Sequence, residues 1–316
     1  MAKTLLCRVA TTWNEDGTLD ETAFREHLQR IIDADLGLYL ASGGIEGYAM
    51  TPEELRRVYE IGVDQSAGRV FVGANLEEEH TATATIARAR IAMAAEVDVI
   101  NIYGPAGWHG YVPTDEEYIA FFDDVLTEIG HAVALCPNQI LGYAPGPETI
   151  AEIVGRHGQV VAVNLTGVPD DIYLVRLFDL LPRRVETYVT VQGSLNTLGM
   201  GATGLLGVEA NLIPQTFRRY LDLYEAGDGH EIHTVYADLK RTIAYVSRWM
   251  GSNARWIKIA MQAFELPGWR GGLRPPYLMP DDAEIDRFAA GAIQLDVPEI
   301  NALARAVGRP VPADAR

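Results

Sequence analysis

Eight short runs of β-branched and apolar residues recur along the chain at nearly constant intervals. Their starts lie near Leu5, Gly37, Arg69, Val97, His131, Val160, Tyr188 and Gly204. Most of these starts are 28 to 34 residues apart, which is the length of one strand plus one crossover helix. Apolar runs without polar alternation indicate strands buried on both faces, as in a parallel sheet. Eight consecutive units predict a closed (β/α)₈ barrel, the TIM-barrel fold, in preference to an open doubly wound sheet.

The segments between these runs carry helix signals. Thr51, Pro52 and Glu54 have the spacing of an N-cap, a first-turn proline and a capping-box glutamate. The last interval, from 188 to 204, spans only 16 residues, so the seventh helix must be short. After about Gly227 the strand signal stops, and helical patterns occupy 230–250, 254–264, 281–292 and 297–306. We therefore expect an α/β barrel over residues 1–227 and a C-terminal helical extension over 228–316.

The composition argues against several classes of function. The 316 residues include 26 Lys and Arg against 43 Asp and Glu, and the formal net charge of −17 disfavours nucleic-acid and anionic-membrane partners. No run approaches the roughly 18 apolar residues that a membrane span needs. Cys7 and Cys136 form no disulfide framework, and Arg8 interrupts the first apolar run too early for a secretory signal. These features predict a cytoplasmic protein.

In a barrel of this type, functional side chains lie at the C-terminal ends of the strands and in the loops that follow. The residues at these positions are mostly uncharged and able to form hydrogen bonds. We predict a polar rim that is poor in charge and that binds a small molecule. A metal site needs three or four converging ligands, whereas Glu46, His109 and Glu209 lie on distant loops, so we expect no bound metal.

Several segments occur in the order of a known family's motifs. Positions 11–20 read T-T-W-N-E-D-G-T-L-D, and positions 42–46 read S-G-G-I-E, followed by M-T-P-E-E at 50–54. Further segments are P-E-T at 147–149, G-A-T-G-L-L-G-V-E-A-N at 201–211, I-K at 257–258 and G-L-R-P-P at 272–276. In order and spacing this set resembles the dihydrodipicolinate synthase / N-acetylneuraminate lyase family of pyruvate-handling class I aldolases. The resemblance spans nearly the whole chain and implies the same barrel.

The chain departs from this family at the residues that carry its chemistry. The family's Schiff-base lysine, at the end of the sixth strand, falls on Asn164, and an amide cannot form an iminium with a ketoacid. The family's tyrosine falls on Leu135, or on Cys136 with a one-residue shift. The two threonines that hold the ketoacid carboxylate fall on Gly43 and Gly44. The resemblance therefore implies the fold but not the pyruvate mechanism.

None of the three lysines stands where it could replace the missing one. Lys3 precedes the first strand, and Lys240 lies in a helix of the extension. Lys258 matches a lysine that the family keeps in a helix outside the barrel mouth. We therefore predict that pyruvate forms no Schiff base with this protein, and we expect no cofactor.

Four residues are candidates for other chemistry. His109 follows the fourth strand, where an imidazole can transfer protons near neutral pH or serve a subunit interface. Tyr103 ends the same strand and could replace the missing phenol, although a packing role is the common alternative. Glu209 either faces the mouth or caps its own loop. Asn164 could donate a hydrogen bond to a developing oxyanion.

These candidates predict a lyase-type enzyme that acts on a small carbonyl-containing metabolite without a lysine Schiff base, in a lyase, hydratase or cyclisation step. The predicted substrate-binding residues are Ser42, Gly43, Gly44, Glu46, Thr166 and Gln192. Glu46 has a structural alternative, because a glutamate there could bond the amides of its own loop. The alternative function is a non-catalytic ligand-binding or regulatory relative, which a rim without charged pairs fits almost as well. The resemblance further implies a homo-dimer or homo-tetramer.

Overall fold

The computed structural model describes residues 4–107, 110–168, 170–249, 253–313 and 315–316. Eight parallel strands pair in chain order and close into a barrel, as the spacing predicted. The strands are β1 Thr4–Arg8, β2 Gly37–Leu40, β3 Val72–Asn75, β4 Val99–Tyr103, β5 Val133–Cys136, β6 Val160–Leu165, β7 Glu186–Val189 and β8 Gly204–Gly207. Pairing of β1 with β8, through Leu6 and Leu206 among others, completes the closure. The predicted TIM barrel is confirmed.

Eight helices alternate with the strands, and four more form the C-terminal extension. The helices are α1 Glu21–Ile32, α2 Pro52–Ser66, α3 Ala82–Ala94, α4 Asp115–Glu128, α5 Pro147–Arg156, α6 Asp171–Leu180, α7 Ser194–Met200, α8 Pro214–Ala226, α9 Glu231–Val246, α10 Asn253–Ala263, α11 Asp282–Ile293 and α12 Pro298–Ala306. The seventh helix has only seven residues, in agreement with the short interval in the sequence. No helix in the described ranges is long and apolar enough to cross a membrane.

Local sequence explains where the helices begin. Thr51 and Thr114 each accept a hydrogen bond from the third helical N–H, and the carboxylates of Glu54 and Glu117 each accept one from the backbone N–H of that N-cap threonine. These two capping boxes satisfy N–H groups that the helix itself leaves free. On α1, the stripe that includes Phe24, Leu28 and Ile31 is fully buried against the strands. Side chains that point outward from the barrel therefore form the main core, between strands and helices.

Side chains that point into the barrel alternate with these and fill the lumen in layers. The layer near the N-terminal strand ends is largely apolar and contains Leu6, Tyr39, Val99, Ala134, Ala162, Tyr188 and Leu206. Because successive strand residues face opposite sides, Leu6 and Arg8 face the lumen, whereas Leu5 and Cys7 belong to the outer core. This parity decides which residues of each strand reach the mouth.

The extension is fastened to the barrel through the loops after β1 and β2. Arg274 donates to both carboxylate oxygens of Glu54, at 2.7 and 2.5 Å, and to the backbone oxygen of Ala49 at 2.6 Å. A Cβ on Gly271 would lie 1.6 Å from the backbone oxygen of Trp13, so only glycine permits this close approach. The extension thereby helps to hold the loops that form the barrel mouth.

Candidate functional site

A chain of amide side chains crosses the middle of the lumen. Asn164 on β6 donates to the hydroxyl of Tyr39 at 2.8 Å and to Oδ1 of Asn101 at 2.7 Å. Asn101 in turn donates to Oδ1 of Asn75 at 2.7 Å, and Asn75 donates to the backbone oxygen of Leu76 at 3.1 Å. All four side chains are buried. The network joins β2, β3, β4 and β6 below the mouth.

The direction of these hydrogen bonds is fixed from one end. The backbone oxygen of Leu76 can only accept, so the amide nitrogen of Asn75 must face it. Asn75 Oδ1 then accepts from Asn101 Nδ2, and Asn101 Oδ1 accepts from Asn164 Nδ2. Both N–H groups of Asn164 are then committed. Its Oδ1 is buried and has no partner in the described part of the chain. The predicted role of Asn164 as an oxyanion donor therefore does not fit this arrangement, because no free N–H remains.

Above this network, four side chains meet around the ends of β4, β5 and β6. Thr166 Oγ1 accepts a hydrogen bond from Asn138 Nδ2 at 3.2 Å and lies 3.9 Å from Cys136 Sγ. Tyr103 packs against Cys136. Burial raises the pKa of the Tyr103 phenol well above its ordinary value, with smaller contributions from Cys136 and Glu78. The structure thus brings together two of the predicted residues, Tyr103 and Thr166.

Cys136 itself is an unreactive thiol in this cluster. Burial raises its pKa to about 11, and the hydrogen bonds from Thr166 and Tyr103 and the charge of Arg8 only partly oppose that effect. Cys7 is likewise buried, and its pKa is raised mainly by burial. Neither thiol forms the thiolate that nucleophilic chemistry needs near neutral pH.

Arg8 brings a positive charge into the mouth. It is the last residue of β1 and faces the lumen, where its charge acts on Tyr103 and Cys136. Its Nε is buried without a hydrogen-bond partner among the described residues, and no ion pair with an acidic side chain is formed there. A buried guanidinium nitrogen without an acceptor is costly, so this group is suited to receive an anion.

Two carboxyl groups follow β3 at the same end of the barrel. Burial raises the pKa of Glu77 to about 8, and the neighbouring charge of Glu78 adds to the shift. Burial also raises the pKa of Glu78. Glu77 lies against the loop after β2, where a Cβ on Gly43 would be 3.0 Å from Oε2. The prediction of a rim poor in charge is wrong, because Arg8, Glu77 and Glu78 all lie at the mouth.

The sequence contains signals for Arg8, Glu77 and Glu78. Arg8 lies two positions after a lumen-facing residue of the same strand, so strand parity places it in the barrel. Glu77 and Glu78 directly follow the Asn75–Leu76 strand end, at the start of the loop after β3. The predicted site residues nevertheless include none of the three.

Glu46 and Lys258 form a buried polar centre beneath the mouth loops. Glu46 accepts hydrogen bonds from Trp13 Nε1 at 3.0 Å and from the backbone N–H of Arg274 at 2.8 Å. Lys258 Nζ lies 3.6 Å from Glu46 Oε2 and donates to the backbone oxygen of Thr11. Burial lowers the pKa of Lys258, and Glu46 opposes this shift.

These contacts bear on the expectations for both residues. Both side chains are 1% exposed, and the Glu46 carboxylate is engaged by partners from other segments rather than by amides of its own loop. Lys258 lies on the helix α10 of the extension, as expected, and its ammonium group reaches beneath the loops after β1 and β2.

The other predicted residues are dispersed around the rim. Glu209 Oε2 accepts from the backbone N–H of Val208 at 3.1 Å, which agrees with the alternative of a loop cap. Gln192 is exposed after β7, and Gly44 is exposed after β2. Ser42 is buried, and its backbone oxygen accepts from two later amides of its loop. His109 lies outside the described residues. Within the described ranges, no three His, Cys, Asp or Glu side chains are placed to hold a metal ion.

Comparison with known proteins gives a consistent family match. Residues 1–293 match the model of the dihydrodipicolinate synthetase family. A protein of Xanthomonas axonopodis pv. citri named 4-hydroxy-tetrahydrodipicolinate synthase is 30% identical over 303 residues, covering 92% of this chain and 95% of that protein. A protein of Methylobacterium radiotolerans named "Probable 5-dehydro-4-deoxyglucarate dehydratase" is 27% identical, covering 89% and 91%.

Solved structures agree on the fold. The E. coli K12 prophage protein YagE, of the dihydrodipicolinic acid synthase family and solved in complex with pyruvate, aligns with a TM-score of 0.83. The alignment covers 93% of this chain and 98% of that protein, at 19% sequence identity. Identity at this level supports the shared barrel and not a shared substrate.

Proposed function

The chain belongs to the dihydrodipicolinate synthetase family, and on that premise we propose that it is a lyase-type enzyme that forms no lysine Schiff base with its substrate. The observation that carries this proposal is the amide of Asn164 at the end of β6, committed to Tyr39 and Asn101. Imine chemistry needs an accessible amine. Lys258 is fully buried beside Glu46, and Lys240 lies on the α9 helix of the extension.

The proposed substrate is a small carbonyl compound that carries a carboxylate. Arg8 supports this choice because its buried Nε has no acceptor among the described residues. A guanidinium binds a carboxylate through paired hydrogen bonds, which fix orientation as well as charge. By resemblance to the family, Gly43 and Gly44 stand where two threonines would hold a ketoacid carboxylate. Arg8 would supply the missing interaction from β1.

The proposed chemistry is acid–base catalysis of a lyase, hydratase or cyclisation step. Glu77 and Tyr103 are the groups best placed to move protons at the mouth. A carboxyl group with a pKa of about 8 exists in both protonation states near neutral pH, as an acid–base catalyst requires. His109 and Glu209 remain proposed alternatives, while Ser42, Gly43, Gly44, Thr166 and Gln192 remain the proposed binding surface. Glu46 would act indirectly, by holding the mouth loops in place through its hydrogen bonds with Trp13 and Arg274.

The charged groups at the mouth argue against the alternative, non-catalytic function. The alternative of a non-catalytic ligand-binding relative depends on a rim without charged pairs. A cation and two carboxyl groups at the end of the barrel that holds the active site in this fold favour an enzyme instead. We also propose, by resemblance, a cytoplasmic homo-dimer or homo-tetramer, which sedimentation analysis would test.

Two measurements with pyruvate test the proposal. Treatment with pyruvate and borohydride should leave the mass of the protein unchanged, and a stoichiometric pyruvyl adduct would disprove imine-free chemistry. Pyruvate binding, followed by ligand-observed NMR, should weaken at least about tenfold in Arg8→Leu, which corresponds to about 1.4 kcal/mol. The matched control is Arg90→Leu, an exposed arginine paired with Glu128 on the helical surface. Equal binding by wild type and Arg8→Leu would refute the role of Arg8.

A further inference from the structure

The lumen contains a second space, on the opposite side of the amide network from the mouth. This cavity has a volume of about 280 Å³. Its walls come from the apolar N-terminal layer of the barrel, and the short side chains of Ala134 and Ala162 leave the space open. Phe71, Arg184 and Glu186 line it at the N-terminal strand ends. The cavity is therefore separate from the site at the C-terminal ends of the strands.

The inner end of the cavity offers two unmatched hydrogen-bonding groups. Asn164 lines the cavity, is 0% exposed, and has an Oδ1 atom with no partner in the described ranges. Tyr39 also lines it, and its hydroxyl oxygen accepts from Asn164. The O–H proton of Tyr39 has no acceptor in the part of the chain that the structure describes. One free acceptor and one free donor thus belong to two side chains that are hydrogen-bonded to each other.

Water alone satisfies this arrangement poorly. An unmatched buried acceptor costs about 1–3 kcal/mol, so a partner for Asn164 is expected. A single water could bridge Asn164 and Tyr39, but the cavity has room for roughly nine waters at about 30 Å³ each. Between this inner end and the charged side chains Arg184 and Glu186 at the outer end, walls such as Leu6, Val99 and Ala162 offer those waters no hydrogen bonds. An occupant with one polar end and an apolar body matches the walls better.

We propose that this cavity is a binding site for a small uncharged amide or alcohol. The head group would donate to Asn164 Oδ1 and accept from the Tyr39 hydroxyl, while the apolar body would contact Ala134 and Ala162. The volume is close to the lower limit of about 300 Å³ for ligand pockets, which restricts the ligand to a few heavy atoms. A charged head is disfavoured at the inner end, because burial of an ion without a counter-charge is costly and the charged side chains Arg184 and Glu186 lie at the opposite end of the cavity.

The experiment compares isobutyramide with isobutyrate, which share a shape and differ in charge. Ligand-observed NMR titrations should show saturable binding of isobutyramide to the full-length protein and at least about tenfold weaker binding of isobutyrate. Ala162→Leu fills the cavity and should abolish isobutyramide binding. Ala120→Leu, the same exchange at an exposed position on α4, should leave it unchanged. Thermal unfolding of each variant confirms that it is folded.

Three results would overturn the proposal. They are the absence of isobutyramide binding to wild type, binding that survives in Ala162→Leu, and equal affinity for the amide and the carboxylate. If Ala162→Leu does not fold, the smaller change Ala134→Val tests the same wall. Tyr39→Phe removes only the hydroxyl and should weaken amide binding without filling the cavity. Since the pyruvate experiments address the other end of the barrel, failure of either proposal leaves the other intact.

Discussion

Replacement of Asn164 by aspartate tests whether the amide network is as buried and as directional as the structure indicates. Asn164 donates two hydrogen bonds, and an ionised aspartate can donate none. Tyr39 could turn its O–H toward the new carboxylate, but Asn101 Oδ1 could not, because the amide nitrogen of Asn101 is committed to Asn75. A protonated aspartate restores the pattern, since its O–H can donate to Asn101. The folded state therefore favours the neutral acid.

The size of the effect follows from burial. Leaving a buried charge uncompensated costs about 3–5 kcal/mol. At about 1.36 kcal/mol per pH unit, this cost raises the pKa of the aspartate by about 2–4 units above its unfolded value of about 3.9. Because the folded pKa is raised, the folded state binds more protons than the unfolded state. Its stability is complete below about pH 4 and falls as the pH rises through the folded pKa.

The assay is thermal unfolding of wild type, Asn164→Asp and Asn164→Leu between pH 5.5 and 8.5. By pH 5.5 about 2 kcal/mol of the cost is already present, so about 1–3 kcal/mol remains to be lost over this range. At about 2 °C per kcal/mol, the Tm of Asn164→Asp relative to wild type should fall by a further 2–6 °C or so. Asn164→Leu removes the same donors without a titrating group, so its offset should stay constant. Parallel offsets for the two variants would refute the expectation that the buried network disfavours the charged aspartate.

Two further predictions concern charged groups. Lys258→Met leaves the buried Glu46 carboxylate without its cation and should lower the free energy of unfolding by about 3–5 kcal/mol, with most of it recovered when Glu46→Gln is added. Denaturant unfolding measures this, and equal loss in the single and double variants would contradict the pairing. Because the pKa of Glu77 is raised to about 8, its contribution to stability is lost as the pH rises from about 4.5 to 8. The Tm of wild type should therefore fall relative to Glu77→Gln between pH 5.5 and 8.5, and a constant difference would show that Glu77 is not protonated in the folded protein.

The fold was predictable because its signals are local and repeated. Each strand start lies within three residues of its predicted position, and the capping box at Thr51 forms as the sequence indicated. Eight apolar runs at one spacing leave few arrangements that bury them all. The extension was also predicted, but its attachment was not. The bonds from Arg274 to Glu54 join residues 220 positions apart, and no periodicity in the sequence encodes such a contact.

The site was only partly predictable, because its chemistry depends on side-chain parity and hydrogen-bond direction across the lumen. Tyr103 and Thr166 were predicted from their places at strand ends and lie together around Cys136, whereas Arg8 was not predicted, although it is the last residue of β1 and strand parity turns it into the lumen. The role of Asn164 changed for a different reason. Its partners, Tyr39 and Asn101, are 125 and 63 positions away, and a backbone oxygen at Leu76 orients the whole amide chain. The amide of Asn164 at a family position therefore argues against imine chemistry, whereas the hydrogen-bonding role of this side chain depends on neighbours that only the closed barrel brings together.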